Sequence, residues 1–106
     1  MSDNLLSQLA VTIRARRSAS AAASYTKSLL DGGPERCARE FGEEAIEAVV
    51  AATSGDDQAL AAEAADVLFH LLVLLESRGV TWDDVAAVLR ARQGTSGHAE
   101  KAARTT

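Results

Sequence analysis

Apolar positions recur along this chain at helical spacing and never alternate with polar ones over a useful length, so the pattern predicts helices and no strands. Leu5, Leu6, Leu9 and Ile13 mark a first helix that Asp3 or Asn4 can cap. Arg14, Arg16 and Arg17 crowd its last turn, where they suit the negative end of the helix dipole. Ser18 to Ser24 contains only Ser and Ala and is compatible with a linker or with more helix. Ser24 to Leu30 reads as a short capped helix that Asp31, Gly32 and Gly33 terminate. Pro34 opens a longer helix to about Thr53, with Glu35 near its positive end. Gly55, Asp56 and Asp57 end that helix and cap the next, about Gln58 to Arg78, which Gly79 stops. Thr81 with Asp84 approximates a capping box for a final helix carrying Trp82, Val85, Val88 and Leu89. Residues 94–106, His98 included, lose periodicity and read as a loose tail.

The two long helices form a predicted hairpin in which the acidic residues are not scattered. At about 100° per residue, Glu40, Glu44 and Glu47 lie along one stripe of the first, with Glu43 at its edge, and Glu63, Asp66 and His70 lie along one stripe of the second. The apolar face of the first, Phe41, Ala45, Ala48, Val49 and Ala52, points the other way. Closing the hairpin brings carboxylates together from both helices. Each pair about 5 Å apart repels by roughly 3 kcal/mol at an effective dielectric near 20, so the cluster persists only with protons, basic partners or metal ions. Hard divalent cations, above all Mg²⁺, are the natural counter-charge. A solvated helix face is the ordinary fate of any single Glu. Against it, Val67 to Leu75 is apolar almost all round, which places Asp66 and His70 at the start of a segment expected to be largely buried. A His in such a helix is ordinarily a satisfied core residue or a hydrogen-bonder behind a metal ligand. A helix apolar on every side needs more neighbours than one short chain supplies. The expected fold is therefore all-α, a helical bundle built on the acidic hairpin and completed by a homodimer.

Composition narrows the partners. The net charge of −4 and only four aromatic residues argue against a nucleic-acid polymer and against base stacking on an aromatic platform, though not against a nucleotide held through metal. The single cysteine, Cys37, suits a small buried filler in a reducing compartment. The first turn is polar and acidic, and the longest apolar run is short for a bilayer, so no membrane and a cytoplasmic location are expected. Hydroxyls and a lysine at Ser24, Tyr25, Thr26 and Lys27, before the double glycine, also suit a phosphate cradle. Arg36 and Arg39, a turn apart near the acidic flank, are either salt-bridge partners or a clamp on a substrate phosphate.

The signature Glu44-x-x-Glu47, fifteen residues, then Glu63-x-x-Asp66 resembles the metal-binding motif of the all-α nucleoside triphosphate pyrophosphohydrolases, the MazG-like group. More narrowly, SYTKSLL, GPERCAREFGEEAIE, EAADVLFHLLVLL and RGVTWDDV resemble, in that order, blocks of the phosphoribosyl-ATP pyrophosphohydrolases of histidine biosynthesis, over Ser24 to Gln93. Length and pattern give one all-α domain over residues 1–93, with an N-terminal helix and linker over 1–23, a core over 24–93 and a tail over 94–106, and the resemblance covers that core. The resemblance implies Mg²⁺-dependent hydrolysis of 1-(5-phosphoribosyl)-ATP to 1-(5-phosphoribosyl)-AMP and pyrophosphate by a cytoplasmic dimer. Glu44, Glu47, Glu63 and Asp66 match the metal ligands, and Glu43 is a further acid of the motif. Catalytic roles then fall to Glu43, Glu44 and Glu47, and substrate contacts to Ser24, Tyr25, Thr26, Lys27, Arg36 and Arg39. Glu40 departs from the pattern, standing where the family commonly has a lysine, with Arg39 beside it to supply the positive charge. The competing readings are a MazG-like pyrophosphohydrolase of other nucleoside triphosphates and a helical binding module with solvated acids.

Overall fold

The computed structural model describes residues 3–93, with side chains from Leu5 onward. The expected caps Asp3 and Asn4 and the tail over 94–106 with His98 lie outside the described side chains. Five α-helices follow one another: α1 (Asp3–Ala15), α2 (Tyr25–Asp31), α3 (Gly33–Ser54), α4 (Asp57–Ser77) and α5 (Trp82–Arg92), with a 3₁₀ turn (Arg16–Ser18) after α1. No strand occurs among the described residues. The fold is all-α.

Local chemistry sets most boundaries. Ser24 caps α2, its Oγ accepting from the Lys27 N–H at 3.2 Å. Gly33 bends the chain between α2 and α3 at φ 79, a left-handed conformation that favours glycine, and Pro34 follows in the first turn of α3. Gly55, φ 81, ends α3, and Asp56 caps α4 by accepting from Ala59 N–H at 3.1 Å. The α5 capping box is complete: Thr81 Oγ1 accepts from Asp84 N–H at 3.0 Å, and Asp84 Oδ2 accepts from Thr81 N–H at 2.9 Å. Hydrogen bonding of its carboxylate by the Thr81 backbone N–H, then by the Thr81 side chain, holds Asp84 below its usual range.

α3 and α4 form the central hairpin. α1 packs along α4 and touches α5, while the short α2 sits across α3 and α4. The core lies at the end of the hairpin away from its turn, where Ile13, Leu29, Cys37, Leu72 and Val73 are buried against Leu6, Leu9, Phe69, Leu75 and Trp82. Cys37 is the expected filler; its thiol donates to the Leu29 carbonyl at 3.3 Å, and burial pushes its pKa up.

Three features depart from expectation. α1 stops at Ala15, so Arg16 and Arg17 lie in the 3₁₀ turn, and Arg17 grips the carboxylate and backbone carbonyl of Glu76 near the end of α4. The dipole argument holds, but for another helix. Of the two forms open to Ser18 to Ser24, the chain takes the linker: Ser18 closes the 3₁₀ turn, and a bend and a turn follow. The apolar half of α4 is not fully covered within one chain, because Leu68 is 41% exposed and Asp66 is exposed as well. α4 is also, by length and composition, apolar enough to cross a membrane, whereas the continuous run alone was expected to be too short; its packing against α1, α2 and α3 makes it the central helix of a bundle.

A Cβ at Gly55 would meet no atom within 4 Å, so Gly55→Ala isolates the backbone cost. It should lower unfolding free energy by about 1 kcal/mol in a denaturant titration, the order of the left-handed penalty for an L-residue.

Candidate metal centre

The hairpin does converge the acids. Carboxylate oxygens of Glu44 on α3 and of Glu63 and Asp66 on α4 all lie within 4.8 Å of one another. Glu44 and Glu63 are half-buried and Asp66 is exposed, so the cluster is open on one side. Two helical spacings produce this geometry: Glu63 and Asp66 are one turn apart on one face of α4, and the register set by the Gly55 turn lays Glu44 beside them. Glu47, the next turn of α3, comes close enough to hydrogen-bond with Glu44.

The electrostatics follow from the crowding. Burial, then the charge and hydrogen bond of Glu47, then Asp66 and Glu63, push the Glu44 carboxyl above its usual range. Glu63 Oε2 is buried and has no hydrogen-bond partner. A carboxylate oxygen in that state costs on the order of 1–3 kcal/mol or more. Carboxylates around one point, one of them with an orphaned oxygen, are the donor set that a hard divalent cation takes.

The remaining predicted residues divide. Tyr25 comes to the cluster: its phenol is pushed up first by burial and then by Glu40, with Glu44 and Asp66 adding and Arg36 opposing. The residue is 56% exposed, and its ring lies nearly parallel to Phe69 and edge-on to His70. His70 is buried, as expected of a core histidine. Arg36 Nη1 donates to the Ser28 carbonyl at 3.2 Å, and Lys27 Nζ pairs with Asp31 at 2.7 Å. Ser24 is occupied as a helix cap, and Thr26 is buried. Glu43 and Arg39 are exposed, about 100° around α3 from Glu44 and Glu40 respectively. The support of Phe69 and His70 beneath Tyr25 was not read from the sequence; the placement of His70 on the same stripe as Glu63 and Asp66 was the available signal.

Residues 6–93 match the family described as phosphoribosyl-ATP pyrophosphohydrolase. The chain belongs to that family. Among curated relatives, a protein of Cereibacter sphaeroides named phosphoribosyl-ATP pyrophosphatase is 57% identical over 100 residues, covering 94% of this chain and 97% of that one. Similarly named proteins of Ruegeria pomeroyi, 55% identical over 101 residues, and of a Jannaschia species, 54% over 99 residues, cover 95% and 93% of this chain and 96% and 97% of their own lengths. The match begins at Leu6 rather than at Ser24, so most of α1, which carries no motif, lies within the span characteristic of the pyrophosphohydrolase family.

A raised carboxyl pKa means that the folded chain binds the Glu44 proton more readily than the unfolded one does. This contribution favours folding below the ordinary glutamate range and is lost as pH rises through the raised value. Without divalent cation, Glu44→Gln should therefore unfold at a higher temperature than the parent chain near neutral pH, and the difference should shrink on acidification. An apo melting temperature lowered by the substitution would show that these carboxylates do not oppose folding.

Proposed function

We propose that this chain hydrolyses 1-(5-phosphoribosyl)-ATP to 1-(5-phosphoribosyl)-AMP and pyrophosphate, the second step of histidine biosynthesis, with Mg²⁺ held by Glu44, Glu47, Glu63 and Asp66. The observation that carries the metal assignment is the meeting of Glu44, Glu63 and Asp66 oxygens within 4.8 Å in a chain of this family. Bound there, Mg²⁺ supplies neutralisation of phosphate charge and a lowered pKa for water. In the reaction, water oxygen bonds to the α-phosphorus in line as the bond to the bridging oxygen of pyrophosphate breaks, and that oxygen keeps the electron pair.

The protein's own part is placement. α3 and α4 hold four carboxylates at fixed spacing, and Glu43 is the spare carboxylate for orienting the attacking water. The α2 block from Ser24 to Lys27, with Arg36 and Arg39, faces the phosphoribosyl and polyphosphate oxygens. Tyr25 is its best-supported member, since its phenol feels the charges of Glu44 and Asp66. Ser24 and Lys27 have local partners that substrate must displace or share. Residues 1–93 act as one domain in this reading.

A cytoplasmic homodimer accords with the same reading. Cys37 is buried and unpaired, as suits a reducing compartment. Ile46, Val49 and Val50 form an apolar stripe on α3 that is 64%, 58% and 60% exposed in a single chain, which a second copy would cover.

Glu47→Gln should fold yet lose pyrophosphate release from phosphoribosyl-ATP by about 10²-fold or more, the order seen for one preorganised electrostatic group. Near-normal turnover in the folded variant would sink the ligand assignment. Assayed in parallel with Mg²⁺ and with chelator, the parent chain should turn over phosphoribosyl-ATP and leave ordinary nucleoside triphosphates untouched; the opposite preference would favour the broader MazG-like activity. Ile46→Glu should shift the species seen by analytical ultracentrifugation from dimer to monomer, and an unaltered dimer would remove the α3 stripe from the interface.

A further inference from the structure

Gly32 is a glycine whose identity the backbone does not explain. Its φ of −75 and ψ of −8 are helical and open to any residue, unlike the positive φ of neighbouring Gly33. What a side chain there would strike is Arg36. A Cβ on Gly32 would overlap Arg36 Cδ outright and stand 2.9 Å from its Cβ and 3.2 Å from its Cγ. The whole aliphatic stem of Arg36 lies against the bare Cα of Gly32, and the head is tied to α2 through Nη1 and the Ser28 carbonyl. Because Arg36 Cβ is itself one of the crowded atoms, turning the far end of the side chain does not relieve the contact.

The folded-back stem decides where the charge sits. Arg36, Glu40, Glu44 and Glu47 follow one stripe of α3, so the guanidinium stands at the α2 end of the acidic row, about 12 Å of helix rise from Glu44. It is close enough to Tyr25 to act on the phenol that Glu40, Glu44 and Asp66 also influence. One N–H of the fork is spent on Ser28, and the planar head retains donors for a phosphate oxygen pair. We propose that Gly32 is a positioning residue for substrate phosphate: its missing side chain lets Arg36 lie back over the α2–α3 turn and present its guanidinium beside Tyr25 at the end of the carboxylate row. This rests on the reading of Arg36 as a substrate contact made above.

The test is steady-state pyrophosphate release from phosphoribosyl-ATP with Mg²⁺ by the full chain and its Gly32→Ala, Arg36→Ala and doubly substituted variants, with thermal unfolding of each. Arg36→Ala should raise KM by about tenfold or more, as expected for loss of one charge-assisted contact. Gly32→Ala should raise KM in the same direction with kcat little changed, and the double variant should be no worse than Arg36→Ala. In the Arg36→Ala background, Gly32→Ala should lower the melting temperature by less than it does in the parent chain, since the Cγ and Cδ contacts are gone and only the Cβ contact at 2.9 Å remains. A Gly32→Ala variant with parental KM, or KM penalties that multiply in the double variant, would overturn the role of Gly32 while leaving that of Arg36 in place. An unchanged KM in Arg36→Ala would overturn the Arg36 reading and the Gly32 proposal with it.

Discussion

Mutual repulsion among carboxylates is the constraint on which the hairpin depends. Oxygens of Glu44, Glu63 and Asp66 within 4.8 Å of one another, with Glu47 against Glu44, form an arrangement that isolated helices would avoid. At roughly 3 kcal/mol per ionised pair at this range and an effective dielectric near 20, the repulsion rivals a sizeable part of a small domain's net stability. The restoring force comes from elsewhere in the chain. The buried Ile13, Leu29, Cys37, Leu72 and Val73 clamp α3 and α4 beyond the acidic stretch, and the Gly55–Asp56 turn joins them at the opposite end. The acids lie between two fixed points, so they cannot relax by splaying the hairpin without opening core or turn.

That division explains why α4 changes character along its length. Its first half is mostly alanine around Glu63 and Asp66, with little apolar surface to bury, and its second half supplies the core through Phe69, Leu72, Val73 and Leu75. Aromatic residues mark the junction. Phe69 and His70 pack edge to face at 5.1 Å between ring centroids, and Tyr25 reaches over both from α2. The short α2 is thereby fixed to α4 on one side and, through Arg36 and Cys37 bonding to the Ser28 and Leu29 carbonyls, to α3 on the other. The block that carries the candidate phosphate contacts is held at three points despite spanning only seven helical residues.

Much of this was legible in the sequence, and the physical reason is range. Caps and stops involve residues two to four apart, so Ser24, Gly55, Asp56 and the Thr81–Asp84 box could be read directly. The acid stripes were equally visible, because a regular helix converts spacing into a face. Legibility ended where partners are distant in sequence. The clasp of Arg17 on Glu76 joins residues 59 apart, and the seat of Tyr25 on Phe69 and His70 crosses from α2 to α4. Exposure failed for a different reason: Leu68 and Val49 have the composition of core positions, yet among the described residues no element lies over them. Composition reports a residue's affinity for an apolar neighbour and says nothing of which chain provides it.

α3 carries, midway along its length, two faces that a single chain leaves unsatisfied. Ordinarily the charged face meets water and the apolar face meets the core. Here Glu44 faces α4, while Ile46, Val49 and Val50 face outward. Such a helix is unfavourable on both sides in an isolated, cation-free chain, because the inner face repels and the outer face is hydrated apolar surface. A cation relieves the first and a covering surface the second, and both act on the same rigid rod. Whatever orders α3 from outside also narrows the spread of carboxylate positions inside, which strengthens cation binding by reducing the ordering that binding must itself supply. In the proposed reading, these two faces of one helix couple the cation site to the dimer, with no element having to move between them.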